Sequence, residues 1–78
     1  MNSEVSVYPN PAKGSAFISL PSNENVKVTL VDAQGRNVLT QNISSTSNEI
    51  NLSSLTSGIY MVNLSGETIQ QTTKLVVE

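Results

Sequence analysis

The sequence has 78 residues, room for one small domain, and contains neither cysteine nor histidine. The thiol nucleophile, the commonest general base and the commonest metal ligand are therefore missing, which weighs against catalysis and against a bound metal. Only Lys13, Lys27, Arg36 and Lys74 oppose six acids, giving a net charge of −2 and no basic patch for a nucleic acid.

The first residues, Met1-Asn2-Ser3-Glu4, are neither basic nor followed by an apolar run, so they do not read as a signal peptide. Met1 reads as an added initiator on an excised domain. From Val5 onward, apolar residues recur with a period of two, the mark of half-buried strands. Val5 and Val7 alternate with Ser6 and Tyr8. Pro9 and Pro11 each remove a ladder donor, so the first strand must stop or jog there. Ala16, Ile18 and Leu20 outline a second strand that Pro21 ends. Val26, Val28 and Leu30 point one way along the third. In Asp32-Ala33-Gln34-Gly35, the Asp32 carboxylate suits the first position of a type I turn, and Gly35 supplies the positive φ of a bulged hairpin. A fourth strand spans Asn37 to Ile43. The polar stretch Ser44 to Asn48 is a loop, and a short fifth strand covers Glu49 to Leu52.

Gly58 to Leu64 is strongly β-prone and forms the sixth strand. Its context, Leu55-x-x-Gly58-x-Tyr60-x-Val62, resembles the corner of immunoglobulin-like domains, where a Tyr bonds back to the chain a few residues upstream. The Tyr60 hydroxyl is expected to tie down the backbone between Leu52 and Ser57, with Val62 in the core. Ser65-Gly66-Glu67-Thr68 makes a further hairpin, and Thr72 to Val77 closes the chain. Seven short strands without a sustained helical stripe predict an all-β sandwich or barrel, in one domain from residue 1 to 78.

The only aromatic residues are Tyr8, Phe17 and Tyr60, so the core must be aliphatic. Stability should fall at the low end of about 5–15 kcal/mol. Ser, Thr and Asn supply 28 of the 78 residues, a neutral polar surface common on extracellular β modules. No run approaches the roughly 20 apolar residues of a membrane span. Calcium needs several carboxylate oxygens, but Asp32 is the only aspartate and reads as a turn former. The sequons at Asn42, Asn51 and Asn63 follow from the abundance of Asn and Ser. A glycan-binding face would have only Tyr8 and Phe17 to use. No catalytic, cofactor-binding or metal-ligating residue is assigned.

Four marks in fixed order carry a more specific signal. They are Val7-Tyr8-Pro9-Asn10-Pro11, then Gly35-Arg36 after Asp32, then Gly58, Tyr60 and Val62 after Leu55, then Lys74-Leu75-Val76-Val77. Each alone is ordinary turn or strand chemistry. Together, covering Val5 to Val77, they resemble the type A C-terminal sorting domain of the type IX secretion system. The resemblance implies a seven-stranded antiparallel immunoglobulin-like β-sandwich with no chemistry of its own. It implies partners in the outer-membrane translocon, shuttle and sortase proteins, with a parent cargo domain on the N-terminal side. The route would be the periplasm in transit, then the cell surface or the exterior, in Bacteroidetes-type bacteria. Cleavage, where it occurs, would fall just before Val5.

The resemblance implies recognition candidates at Tyr8, Pro9, Asn10, Pro11, Gly35, Arg36, Gly58, Tyr60, Lys74, Leu75, Val76 and Val77. Many such domains end in a basic residue, whereas this chain ends Val76-Val77-Glu78: either the last residues have been trimmed, or the positive feature falls to Lys74 and Arg36. The strand Thr72 to Val77 is expected to offer an open edge to a partner strand. The alternative reading is an adhesion or spacer module of immunoglobulin or fibronectin type, which shares the fold and needs no special motif.

Overall fold

The period-two alternation becomes seven strands and no helix in a computed structural model that describes residues 5–78. The strands are β1 (Ser6–Lys13), β2 (Ser15–Ser19), β3 (Val26–Val31), β4 (Asn37–Ile43), β5 (Ser47–Asn51), β6 (Gly58–Gly66) and β7 (Gln70–Val77). The initiator and the cleavage position expected before Val5 lie outside the described residues.

The ladder runs β4-β3-β6-β7-β1-β2-β5 and folds into two layers at β1. The first part of β1 pairs antiparallel with β2, through Ser6↔Ser19, Val7↔Ile18 and Tyr8↔Phe17. Its end meets β7 as well, where Ala12 pairs with Val77 in parallel, while Lys13 pairs again with Ser15 of β2. The proline run therefore jogs the strand from one sheet to the other and does not end it. The physical reason is the missing N–H at Pro9 and Pro11, which interrupts the ladder with β2 after Tyr8 until it resumes at Lys13↔Ser15. The same contact makes the sandwich antiparallel everywhere except at this one pair. On the far side, the Gln41 side chain of β4 reaches the Glu49 carbonyl of β5 across a long 3.4 Å bond.

Inward positions of both sheets meet in an aliphatic core that includes Ile18, Ile50, Leu30, Val62, Leu64 and Leu75. Among the described residues no polar or charged side chain is buried. Strand β5 begins at Ser47, earlier than the apolar pattern indicates, because Ser47 and Asn48 pair with Ser19 and Ile18 of β2. Leu52 follows the strand and is still fully buried.

Three polar devices fix the turns. In the β3–β4 hairpin the Asp32 carboxylate accepts the backbone N–H groups of Gln34 (2.9 Å) and Arg36 (3.0 Å), and Gly35 takes φ +87°. Chiefly the Arg36 N–H holds the Asp32 carboxyl below the usual range, with smaller help from Gln34 and the Arg36 guanidinium. In the β6–β7 hairpin the Gly66 N–H donates to the Ile69 carbonyl at 2.7 Å. Glu24, far away in sequence, accepts both the hydroxyl and the N–H of Thr68, and these bonds lower its pKa, the hydroxyl most. A Cβ at Gly66 would lie 2.6 Å from that carboxylate and 3.0 Å from the Asn25 carbonyl oxygen, so any side chain there would displace the Glu24 carboxylate from this position. At the third device, the buried Tyr60 donates its hydroxyl to the Thr56 carbonyl at 2.6 Å, within the segment the sequence indicates.

Tyr60→Phe removes that bond and leaves the Thr56 carbonyl without it, so a loss of about 1–2 kcal/mol is expected in denaturant titration. An unchanged midpoint would refute the role of the hydroxyl. Glu24 and Asp32 have folded pKa values below their unfolded ones. The stability they contribute is present above the ordinary carboxylate range and is lost as pH falls through the lowered values. Thermal melts from about pH 7 to about pH 3 should decline on the acid side. The decline should be shallower in Glu24→Gln.

Candidate functional site

Proline on either side leaves Asn10 in a segment that cannot donate ladder bonds from positions 9 and 11. An amide side chain carries both a donor and an acceptor, as a peptide group does. Asn10 uses both on β7. Its Nδ2 donates to the Lys74 carbonyl at 2.9 Å, and its Oδ1 accepts the Val76 N–H at 3.0 Å. Two residues on, the ordinary ladder resumes, with the Glu78 N–H donating to the Ala12 carbonyl at 2.8 Å. The side chain of Asn10 thus bridges the interruption that its neighbours create. Both X–Pro bonds of the run, Tyr8–Pro9 and Asn10–Pro11, are cis.

This geometry brings the first and last of the four sequence marks together. It also corrects the expectation of an open edge along Thr72 to Val77. From Lys74 to Glu78 the outer edge of β7 is already taken by Asn10 and Ala12. Leu75 and Val77 point into the core, 1% and 4% exposed, and so act first as packing residues. Val76 is half-buried and Lys74 is exposed, both on the outer side.

The two middle marks also meet. The β3–β4 hairpin and the loop before β6 enclose an open cleft of about 480 Å³, with Asp32, Gln34 and Arg36 on one wall and Thr56, Ser57 and Ile59 on the other. Arg36 is largely exposed, and its guanidinium pairs with Asp32 Oδ2 at 2.9 Å. At Gly58 an added Cβ would meet only the edge of the Tyr60 ring at 4.0 Å, and nothing in the structure explains the glycine. The cleft's one acid is already held in its turn. Among the described residues no group of three His, Cys, Asp or Glu side chains converges to hold a metal.

Cross-strand pairing joins the two clusters. Ile59 of β6 lies opposite Val76 of β7, and Met61 opposite Lys74. Tyr8 stands apart from both. It sits on the outer face of the other sheet, stacked on Phe17 with ring centroids 6.0 Å apart. Sequence reasoning passed over Ile59 and Met61, which are 52% and 38% exposed. Their alternation with buried Tyr60 and Val62 is the signal that marks them as outward.

A family model described as the secretion system C-terminal sorting domain matches residues 6–78. Beta-agarase A of Zobellia galactanivorans is 33% identical over 73 residues, which are 92% of this chain and 13% of the agarase. PorZ, a surface component of the type-IX secretion system of Porphyromonas gingivalis, superposes with a TM-score of 0.67 at 22% identity. That superposition covers 95% of this chain and 11% of PorZ, and at such identity the likeness concerns the fold. The chain thus spans only a small part of either relative. With the family model matched over almost the whole chain and the sandwich it calls for in place, the chain belongs to the secretion system C-terminal sorting domain family.

Proposed function

We propose that this domain directs an exported parent protein through the periplasm and across the outer membrane by a type IX system, and that it is read at the end of the sandwich where Asn10 holds β7. The family match over residues 6–78 carries this reading. The clamp supports the location, because it gathers the Pro-Asn-Pro run and the C-terminal strand at one place. Lys74 and Arg36 supply the positive charge that orients the contact, and both are exposed.

In this reading the domain acts as an address and performs no catalysis. Its partners are the outer-membrane translocon, a shuttle protein and a sortase that removes the domain ahead of Val5. The cargo ends at the cell surface or outside the cell. Because the β7 edge is occupied from Lys74 onward, the machinery reads a folded surface there. Deleting Leu75 to Glu78 would strip two core residues and test folding more than recognition. Substitution of Lys74 avoids that difficulty.

The decisive experiment fuses residues 2–78 to the C-terminus of a periplasm-directed fluorescent protein. It is expressed in a bacterium with a working type IX system and in the same strain lacking the translocon. Fluorescence outside the cell in the intact strain alone is the expected result. Periplasmic retention of a folded fusion in both strains would overturn the proposal in favour of an adhesion or spacer module. Asn10→Ala removes two exposed hydrogen bonds and is expected to cost about 1–2 kcal/mol. It should reduce export together with protection of the Val76 amide from hydrogen exchange, and normal protection would contradict the clamp.

A further inference from the structure

On a one-sided antiparallel sheet, outward positions are normally polar. The outer face of the β4–β3–β6–β7 sheet follows that rule over only half its area. Registers place Thr40, Thr29, Asn63 and Thr72 in one row and Asn42, Lys27, Ser65 and Gln70 in the next. These rows are tied by hydrogen bonds from Thr72 Oγ1 to Asn63 Oδ1 (2.9 Å) and from Gln70 Nε2 to Ser65 Oγ (3.1 Å). The remaining rows are different. Val31, Met61 and Lys74 lie side by side, and Ile59 lies beside Val76. Met61 is flanked on both sides, by Val31 of β3 and Lys74 of β7, so its exposure does not come from a frayed edge, and Ile59 is paired on the β7 side.

The charges in the paired rows of this face are of one sign. Lys27 and Lys74 are exposed on it, and none of its register positions carries a carboxylate. Exposed Glu78 follows Val76 at the end of β7, and other acids are placed elsewhere. Glu49 is on the opposite sheet beside Phe17, Glu24 caps the β6–β7 turn, and Asp32 is engaged in its own hairpin. A chain of net charge −2 therefore presents one apolar corner beside a cation with no acid in its rows.

We infer that this face, centred on Ile59 and Met61, docks a protein of the export machinery whose contact surface is apolar and edged by carboxylates. The inference rests on the sorting reading and names the surface that performs it. Apolar contact supplies the attraction, and Lys74 and Lys27 orient it toward the acidic rim. Four strands about eight residues long and about 4.8 Å apart cover on the order of 500 Å². That lies at the small, transient end of specific interfaces, where about 800 Å² per partner is standard. A signal that must be let go after export needs such a contact. The Asn10 clamp serves the same surface, since it fixes the strand that carries Lys74 and Val76.

The test uses the same fluorescent fusion with Ile59→Thr and Met61→Thr together, which keep β-forming side chains at exposed sites. Lys74→Glu provides a second variant, and Phe17→Thr on the opposite face serves as control. Export of the double variant should fall about tenfold or more. Its melting temperature should stay near that of the parent. Lys74→Glu should reduce export as well, while Phe17→Thr should not. If the unmodified fusion leaves the cell and the folded double variant leaves equally well, the docking face is refuted and the sorting reading stands. If the unmodified fusion is retained, both fall. Binding of the purified domain to phosphatidylglycerol vesicles that the double variant abolishes would assign the face to a membrane and overturn the inference. A dimer in sedimentation that the double variant dissociates would assign it to a second copy, with the same consequence.

Discussion

The architecture depends on one strand serving two sheets. β1 begins beside β2 and ends beside β7, and the transfer takes place across Pro9-Asn10-Pro11. Backbone donors are lost at both prolines, yet the ladder does not lapse, because the Asn10 amide stands in for a peptide group against Lys74 and Val76. Without this substitution the two sheets would share no continuous hydrogen-bonded seam on that side. On the other side the sheets are joined by the short β4–β5 connection and the long Gln41 to Glu49 contact. A domain with no disulfide and a small aliphatic core has few other means of holding its layers in register.

The remaining polar groups divide into turn devices and surface. Asp32, Glu24 and Tyr60 each satisfy backbone or hydroxyl groups at a chain reversal, the two acids from the surface and Tyr60 from the edge of the core. The rest of the interior is left to Val, Leu, Ile and Ala. This separation explains how so few charged residues suffice. Charges that fix turns are spent locally, and two of those left over, Lys27 and Lys74, fall together on one face.

Much of this was legible in the sequence. Alternation along Val26-Lys27-Val28-Thr29-Leu30 identified a strand because one face of it is buried. Asp32 and Gly35 announced their hairpin through local chemistry, and Tyr60 its corner through a partner four residues away. The Asn10 clamp was not legible, because its partners lie 64 and 66 residues further along the chain. The start of β5 escaped for a related reason. Ser47 and Asn48 have no apolar rhythm and become strand only by pairing with β2. Alternation could mark Ile59 and Met61 as outward, but only register could place them beside Val31 and Val76. Tyr8 and Phe17 likewise meet through the β1–β2 register.

The direction of the β1–β7 contact has a mechanical meaning. The two strands run parallel, so a cargo pulling on the start of β1 while β7 is held at its far end drags them past each other lengthwise. The bonds at Asn10 and Ala12 then share the load at once, whereas an antiparallel hairpin such as β6–β7 opens one bond at a time when its ends are drawn apart. A tag fastened in this way resists tension along the very line on which its cargo would be drawn.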